Sequence, residues 1–322
     1  MSALLEVADL AVRLPVEGAS REVLHGVSLE IAAGEALGLV GESGSGKSMT
    51  ARAIARILPT GAATTGSILF DGRDVNALRG NALRQYRGEV AMIFQDPRAH
   101  TNPVRTIGDF MTEALRTNRG LKGRGANARA ATLLEEVGIE DGERRLRQYP
   151  HELSGGMLQR VMIATALLTE PRLILADEPT TALDVTTQAE VMAILDDLRR
   201  EFGLALLFIT HDLELASAVC DRTAVMYAGQ IVEVQAAASL HDQPRHPYTG
   251  ALVAARPRID ATAERLAAIP GRPLSAFEAP DGCAFAPRCA HAQDRCSARR
   301  PELRRFGDGT VRCVRAEELQ HV

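Results

Sequence analysis

The sequence predicts an α/β fold, because short apolar segments alternate with amphipathic ones. The prediction rests on three segments of strand-like composition, residues 35–40, 173–179 and 204–213. Polar residues end or follow each of these segments. The segment after the first of them places apolar residues at roughly helical spacing. Residues 153–235 continue the alternation of strand and helix that is typical of α/β proteins. With 322 residues, the chain is long enough for one large domain with an extension, or for two domains.

The composition excludes several classes of protein. Hydrophobic residues make up 46% of the chain, which is ordinary for a globular protein in water. The net charge of −4 argues against a general nucleic-acid binder, which usually carries a basic surplus. The sequence has no apolar run long enough for a transmembrane helix, and its start lacks the features of a signal peptide. We therefore expect a cytosolic protein whose thiols stay reduced.

A glycine-rich loop follows the first predicted strand. Its sequence GESGSGKS, Gly41–Ser48, fits the pattern G-x-x-x-x-G-K-[ST] without a mismatch, and residues 49–58 after it read as a helix. Glycines allow backbone N–H groups to turn inward around phosphate oxygens, and a helix N-terminus favours anions. We expect Lys47 to reach the β- and γ-phosphates of a nucleotide and Ser48 to bind Mg²⁺. The predicted phosphate-binding residues are Gly41, Ser43, Gly44, Ser45, Gly46, Lys47 and Ser48.

The lysine in this loop is unusual for the chain. Of 37 basic residues only Lys47 and Lys122 are lysines, and arginine supplies positive charge elsewhere. This bias indicates that the chemistry at position 47 requires a lysine, the alternative being that two lysines fall in the chain by chance.

Two adjacent carboxylates end the second predicted strand, LILADEP. Buried strands seldom end in such a pair without a cation or a reaction to serve. We expect Asp177 to hold Mg²⁺ and Glu178 to polarise an attacking water. The alternative role is a cap for the following helical segment, for which Asp184 is already available. After the third strand, His211 is expected to contact the γ-phosphate, the alternative being a structural or solvated histidine.

Two further stretches carry a family resemblance. LSGGMLQR, Leu153–Arg160, resembles the signature motif of ABC-type ATPases, and IFQDP, Ile93–Pro97, resembles their Q-loop. With the glycine loop, the strand-end carboxylates, the TALD stretch Thr181–Asp184 and the histidine, six motifs stand in family order. The resemblance covers essentially the whole chain. Met157, where the family commonly has glutamine, is similar to the peptide-transporter branch.

The resemblance implies a fold and its division along the chain. The expected fold is α/β: a P-loop ABC ATPase core with an antiparallel β subdomain, an inserted helical subdomain and a small cysteine-bearing C-terminal extension. We assign residues 1–95 and 153–250 to the nucleotide-binding core, 96–152 to the helical subdomain and 251–322 to the extension.

The resemblance also implies roles and partners. Ser154 is a natural N-cap for the helix after it. By resemblance Ser154, Gly155 and Gly156 close over ATP bound by a second, non-identical ATPase subunit, and Gln95 senses Mg²⁺ and the attacking water. Two transmembrane permease subunits would dock on the helical subdomain, and an extracytoplasmic solute-binding protein would contribute indirectly. The chain would thus lie at the cytoplasmic face of the cell membrane as a peripheral subunit, with no nucleic-acid partner.

Four of the five cysteines are gathered in the tail, at Cys283, Cys289, Cys296 and Cys313. In a reduced compartment, four thiols at one point suit Zn²⁺ or an iron–sulfur cluster, although their gaps do not match the usual C-x₂-C spacing. His291 between them keeps a mixed zinc site open, and free thiols are the third alternative.

The tail has its own resemblance. RHPYT, Arg245–Thr249, and the cysteine stretch resemble the C-terminal extension of dipeptide and oligopeptide importer ATPases, which implies a [4Fe–4S] cluster on the four cysteines. Cys220, in an apolar helical stretch, is expected to be a small core residue.

These observations predict an ATP-hydrolysing subunit of an ABC importer for dipeptides or oligopeptides. An importer of nickel or another small solute is the alternative within the family. A soluble ABC ATPase acting on nucleic acid or ribosomes is disfavoured, because those proteins usually carry two cassettes or long coiled-coil insertions. A non-hydrolysing module is disfavoured because Glu178 and His211 are both present.

Overall fold

The structure, a computed structural model, describes residues 3–119, 123–181, 183–255 and 269–319. Among these residues the strands are β1 (Ala3–Val16), β2 (Ala19–Ala32), β3 (Ala36–Val40), β4 (Ala63–Phe70), β5 (Arg73–Asp74), β6 (Val90–Ile93), β7 (Leu173–Asp177), β8 (Ala205–Thr210), β9 (Arg222–Tyr227), β10 (Gln230–Ala236), β11 (Arg304–Phe306) and β12 (Gly309–Val311). The α-helices are α1 (Lys47–Ile54), α2 (Gly80–Glu89), α3 (Ile107–Ala114), α4 (Arg124–Glu136), α5 (Gly142–Arg145), α6 (Gly155–Leu167), α7 (Val185–Phe202), α8 (Leu213–Val219), α9 (Pro247–Ala254) and α10 (Asp294–Ala298).

Parts of the predicted motifs and segments lie outside the described residues. They are Lys122, Ala182 of the TALD stretch, and residues 256–268 and 320–322 of the predicted extension. Our division of the chain into core, helical subdomain and extension stays a prediction.

The chain folds into two compact units. The first comprises Met1–Leu4, Ile31–Glu35 and Leu69–Phe208. Its central strands follow the order β8, β7, β6, and β6 runs parallel to β7 with Ile93 opposite Ala176. Helix α6 packs deeply in this unit, because Leu158, Val161 and most of its other residues are buried. The parallel pairing and the covering helices are those of an α/β fold.

The second unit comprises Leu5–Glu30, Ala36–Ile68 and Ile209–Val322. Here β3 runs parallel to β9, and the antiparallel strands β10, β12 and β11 continue the sheet in that order. A separate sheet orders its strands β2, β1, β4. The combination of parallel and antiparallel sheets with helices confirms the predicted fold class.

The first predicted helix is shorter than its apolar pattern suggested. It begins at Lys47, inside the glycine loop, and ends at Ile54 instead of residue 58. Arg56 has a φ of 58°, in the left-handed region, so the backbone cannot continue a right-handed helix there. Local backbone geometry therefore ends the helix although the apolar spacing continues.

Residues of the predicted C-terminal extension belong to the hydrophobic core of the second unit. Phe285 packs there with Tyr227 of β9 and Tyr248 of α9, and Val40 of β3 joins the same cluster. The three aromatic rings contact one another, with centroid distances of 4.6, 5.2 and 5.4 Å. A buried aromatic side chain contributes about 1.5–3 kcal/mol to stability. The extension is thus packed against the strand that leads into the glycine loop.

Candidate functional site

Two glycines of the loop Gly41–Ser48 are required by sterics. A Cβ on Gly41 would lie 2.1 Å from the carbonyl oxygen of Met226, in strand β9. Gly46 has a φ of 107°, and a Cβ there would lie 2.9 Å from the side chains of Leu24 and Met226. Any other residue at these positions would displace the loop. The first and last glycines of the motif therefore set the close approach of the loop to its neighbouring strand.

Lys47 is buried at the start of α1, with 5% of its surface exposed. Its Nζ donates hydrogen bonds to the carbonyl oxygens of Gly41 at 2.7 Å and Glu42 at 3.1 Å. The ammonium is therefore directed back over the loop, and its role toward phosphate stays a prediction.

Ser45 supplies an unsatisfied polar atom in the same loop. It is 2% exposed, and its Oγ has no hydrogen-bond partner among the described residues. A buried hydroxyl without a partner costs free energy, which a ligand in the loop can recover. The loop thus fits a phosphate-bearing ligand by both its backbone and its orphaned hydroxyl.

The strand-end carboxylates lie in the first unit. Asp177 ends β7 and is 4% exposed, whereas Glu178 is half-buried. Glu178 Oε2 accepts hydrogen bonds from Gln95 Nε2 at 3.1 Å and Thr181 Oγ1 at 2.9 Å. The structure therefore brings together Gln95 and Glu178, which are separated by 83 positions in the sequence.

The backbone at Glu178 is strained. Its φ of 46° places a non-glycine residue in the left-handed region. Such a conformation costs on the order of 1–3 kcal/mol and is concentrated at functional sites. The turn directs Glu178 away from the line of β7 and into contact with Gln95.

The signature stretch and the TALD stretch each supply a helix cap. Ser154 Oγ accepts from the Met157 N–H at 3.2 Å at the start of α6, and Asp184 Oδ1 accepts from the Thr187 N–H at 3.0 Å at the start of α7. Hydrogen bonds from Thr187 hold the pKa of Asp184 below its usual value. Asp184 is therefore the cap of α7, as the sequence suggested, so this helix does not need Asp177 or Glu178 as its cap.

These two helix starts share one groove. A Cβ on Gly156 would lie 2.6 Å from Thr187 Cγ2, so glycine permits their close packing. Gly155 has open space where a Cβ would be. The groove is lined by Ser154, Gly155, Gly156, Arg160 and Asp184, among others. The helix N-termini favour an anion here, whereas the carboxylates of Glu140, Asp184 and Glu190 also line the groove and Glu190 pairs with Arg160.

His211 directly follows β8 and is exposed in the second unit. Asp212 caps the next helix, α8, and accepts hydrogen bonds from the N–H groups of Glu214 and Leu215. The histidine thus stands at a strand end, as the sequence predicted, and its role toward phosphate stays a prediction.

The four tail cysteines line one small cavity in the second unit. Cys283, Cys289, Cys296 and Cys313 all border it, together with His291. The Cys283 N–H donates to the Cys296 carbonyl at 2.8 Å, and the Arg315 N–H donates to Cys313 Sγ at 3.4 Å. No group of three or more His, Cys, Asp or Glu within the described ranges is arranged so that it could hold a metal ion. The fifth cysteine, Cys220, is 8% exposed in the core, as predicted.

Three of the thiols around this cavity, those of Cys283, Cys289 and Cys313, keep their protons when no metal competes for them. Burial raises the pKa of Cys283 to about 11, and burial also raises the pKa of Cys289 and of Cys313. Neighbouring cysteines raise these pKa values further, since adjacent negative charges repel. A metal that binds here must therefore displace protons.

The RHPYT stretch forms the start of helix α9. His246 is 1% exposed, and its Nδ1 accepts from the Tyr248 N–H at 3.1 Å. Burial lowers the pKa of His246 to about 3, so the ring is neutral. The buried carboxylate of Glu233 accepts from the N–H groups of Arg245 and His246, each at 2.9 Å. A polar network buried in this way anchors α9 to strand β10.

Sequence reasoning missed three residues of this site: Glu42, which lies within the glycine loop, and Tyr248 and Arg288, which contact it. Tyr248 Oη accepts from the Glu42 N–H at 3.0 Å, and Arg288 donates to the Glu42 carboxylate. Glu42 stands at a position that the loop pattern leaves free. The available signal was a charged residue, Arg288, among apolar residues between Cys283 and Cys289.

Comparison with known proteins identifies the family. Residues 24–181 match the ABC transporter family, and residues 232–296 match the C-terminal region of oligopeptide/dipeptide transporters. The chain is 43% identical over 320 residues to the oligopeptide transport ATP-binding protein OppD of Escherichia coli, covering 98% of this chain and 95% of that protein. It is 46% identical over 312 residues to a putative peptide import ATP-binding protein of Brucella abortus, covering 96% of this chain and 94% of that protein.

A solved structure with the same fold is a dimeric ATP-binding cassette in a post-hydrolysis state, bound to ADP and phosphate. It is 29% identical, with a TM-score of 0.64, and the match covers 72% of this chain and 98% of that one. Across the described part of the chain, every helix is too short or too polar to cross a bilayer.

Proposed function

The chain belongs to the ABC transporter family, in its branch of peptide-import ATP-binding proteins, and from this premise we propose that it couples MgATP hydrolysis to the uptake of dipeptides or oligopeptides. It is an ATP hydrolase subunit of a membrane importer. One observation carries the peptide assignment: the ATPase core is joined to a C-terminal region of the oligopeptide/dipeptide transporter type at residues 232–296. A nickel or other small-solute importer is the alternative.

The phosphates of ATP are bound by the glycine loop in this proposal. Lys47 contacts the β- and γ-phosphates, and Ser48 supplies a hydroxyl ligand to Mg²⁺. The buried, unpartnered hydroxyl of Ser45 and the steric need for Gly41 and Gly46 support this assignment. Ser43 and Gly44, both exposed, complete the loop.

Hydrolysis is a transfer of the γ-phosphoryl group to water. Glu178 orients the water and accepts a proton from it, while the water oxygen forms a bond to the γ-phosphorus and the bond from phosphorus to the bridging oxygen breaks, which releases ADP and phosphate. Asp177 holds Mg²⁺, which neutralises charge on the phosphates. Gln95 and Thr181 aim the Glu178 carboxylate by their hydrogen bonds to it. His211 contacts the γ-phosphate.

The signature residues act on a partner subunit. Ser154, Gly155 and Gly156 close over ATP held by a second, non-identical ATPase subunit, and Asp184 lies at the interface. The groove at the start of α6, next to the start of α7, supports this role because it presents a helix N-terminus to an anion. Two permease subunits dock on residues 96–152 and hold the chain at the cytoplasmic face of the membrane, and a solute-binding protein delivers peptide to them.

We further propose a [4Fe–4S] cluster on Cys283, Cys289, Cys296 and Cys313. The gathering of all four thiols around one cavity supports it, and thiolates are the ligands that such clusters use. The cluster would cross-link a segment of short elements and contribute to its stability. Zinc, with or without His291, is the alternative.

Metal analysis after anaerobic purification tests the cluster. We expect a brown protein with about four irons and four sulfides per chain. Cys296→Ser should abolish the colour, whereas the matched change Cys220→Ser, at the cysteine outside the cavity, should retain it. A colourless protein with one zinc per chain would replace the cluster by a structural zinc site.

Transport by the assembled complex tests the function. The chain, its partner ATPase and the two permeases are reconstituted in vesicles with the solute-binding protein. We expect ATP-dependent accumulation of labelled peptide and no accumulation of nickel. Nickel uptake without peptide uptake would select the alternative.

A further inference from the structure

A side chain from the RHPYT stretch contacts the phosphate-binding loop directly. Tyr248 is fully buried, and its hydroxyl accepts the Glu42 N–H at 3.0 Å. Burial raises the pKa of Tyr248, so the phenol stays protonated. The Glu42 amide is thereby tied to a rigid aromatic side chain within the second unit.

A second contact comes from the cysteine segment. Arg288 Nη1 lies 2.7 Å from Glu42 Oε2, and its Nη2 lies 3.2 Å from Glu42 Oε1. The side chain of Arg288 is 5% exposed and that of Glu42 is 22% exposed. This two-pronged pair is therefore shielded from solvent, where charge-assisted hydrogen bonds are strong and the loss of one partner is costly.

The arginine is itself held in place by neighbours. Its Nε donates to the Pro270 carbonyl at 2.8 Å, and Nη1 also approaches the Tyr227 hydroxyl at 3.3 Å. The guanidinium stacks near the rings of Tyr227 and Phe285, 5.8 and 5.9 Å from their centroids. Arg288 is thus oriented before any ligand arrives.

A third contact reaches the middle of the loop. The Ala276 N–H donates to the Gly44 carbonyl at 3.2 Å, and the Ala276 carbonyl lies 2.7 Å from His25 Nε2. Three separate points of the segment beyond residue 245 therefore hold the same loop.

We propose that Tyr248 and Arg288 are positioning residues of the ATP site, which hold Glu42 so that the loop is preformed for phosphate. This inference rests on the proposed ATP-binding role of the loop and adds residues that the loop motif does not include. Arg288 also neutralises the Glu42 carboxylate, which would otherwise repel an anionic nucleotide. A loop fixed in advance loses less entropy when ATP binds.

The test measures binding of a fluorescent ATP analogue with Mg²⁺ to the full chain. We expect Arg288→Gln to weaken binding about tenfold, because the charge-assisted pair with Glu42 is lost, and Tyr248→Phe about fivefold, because one neutral buried hydrogen bond is lost. Arg288→Lys keeps the charge but not the paired geometry, and should restore part of the affinity. In the assembled complex KM for ATP should rise while kcat stays, because Glu178 is untouched.

Matched controls separate positioning from general damage. Tyr86→Phe removes a hydroxyl from another fully buried tyrosine, which packs against Phe70, and Arg272→Gln breaks the exposed pair with Glu278. Both should bind the analogue as the unaltered chain does. In a double-mutant cycle, Glu42→Gln combined with Arg288→Gln should cost less than the sum of the two single changes.

Several outcomes would overturn the proposal. These are unchanged affinity in folded Arg288→Gln and Tyr248→Phe, an equal loss in the controls, or additive effects in the cycle. If Arg288→Gln does not fold, Tyr248→Phe and Arg288→Lys still decide. Lys47→Ala, measured in parallel, separates failure of the positioning role from failure of the proposed ATP site. Full binding by Lys47→Ala would refute the ATP site itself, whatever the Arg288 variants show.

Discussion

The two loops that follow strands β3 and β7 are held in different ways. Glu42, after β3, is bound by Tyr248 and Arg288, which lie 206 and 246 positions further along the chain. Glu178, after β7, is bound by Thr181, three positions away, and by the exposed side chain of Gln95. The first loop is therefore fixed by buried long-range contacts, whereas these two hydrogen bonds of the second loop come from a half-buried and an exposed side chain.

This difference between the two loops matches their roles in the proposed mechanism, which are to bind phosphate and to orient the attacking water. A phosphate cradle gains affinity from being rigid, because it then pays little entropy on binding. In the proposed mechanism the Glu178 carboxylate orients water, and less buried restraints would let it re-aim when nucleotide binds. The strained backbone of Glu178 is consistent with a residue held in readiness for such a change.

The largest effect is expected at the carboxylate of Glu178. Glu178→Gln should cut ATP turnover by roughly two to four orders of magnitude while nucleotide affinity is retained, because only the general base is lost. Steady-state phosphate release by the assembled complex, with Glu170→Gln as the matched surface control, measures it. Normal turnover in Glu178→Gln would assign the base elsewhere.

The next effect is expected in the rigid loop. Lys47→Ala should weaken binding of MgATP about a hundredfold, because charge-assisted hydrogen bonds to phosphate are lost. Equilibrium titration of the purified chain measures it, and Lys122→Ala, at the only other lysine, is the control. Equal affinity in both variants would contradict the phosphate-binding role of the loop.

The smallest effect is expected at the ion-pair network around Asp109, which is more exposed to solvent than the Arg288–Glu42 pair. Hydrogen bonds from Arg105 and Arg116 lower the pKa of Asp109 from 3.8 to about 2. Because the folded pKa is the lower one, the network stabilises the fold above about pH 4 and this contribution is lost as the pH falls toward 2. Solvent screens the group, whose side chain is 41% exposed, so the effect should be small.

Melting temperatures of the unaltered chain and of Asp109→Asn test this. The variant should melt slightly lower at pH 7, and its melting temperature should fall less steeply between pH 4 and pH 2. Parallel curves for the two proteins would show that the ion-pair network contributes no measurable stability.

Local features of the site could be predicted from the sequence because neighbouring residues determine them. The strand–glycine loop–helix order around Lys47, the caps at Ser154 and Asp184, and the strand end at Asp177 each depend on a few consecutive residues. The end of helix α1 was misplaced, since the left-handed backbone at Arg56 has no signature in apolar spacing.

Features that depend on distant parts of the chain could not be predicted. The RHPYT stretch indicated a branch of the family, but its sequence did not predict that Tyr248 contacts Glu42. Arg288 could be recognised only as a charged residue between two cysteines, and its contact with Glu42 was not predicted. The resemblance implied only that Gln95 senses Mg²⁺ and the attacking water, and its hydrogen bond to Glu178 required the fold.

The sequence by itself determined the fold class and the family, because each motif is a short run of residues whose types and order can be read without the fold, and it predicted the chemistry of the ATPase motifs. Only the tertiary structure decided that the segment beyond residue 245 packs under the phosphate-binding loop and that four dispersed cysteines border one cavity. The physical reason is that buried ion pairs and hydrogen bonds between residues more than two hundred positions apart depend on how strands and helices pack. No local pattern of residue types records that packing.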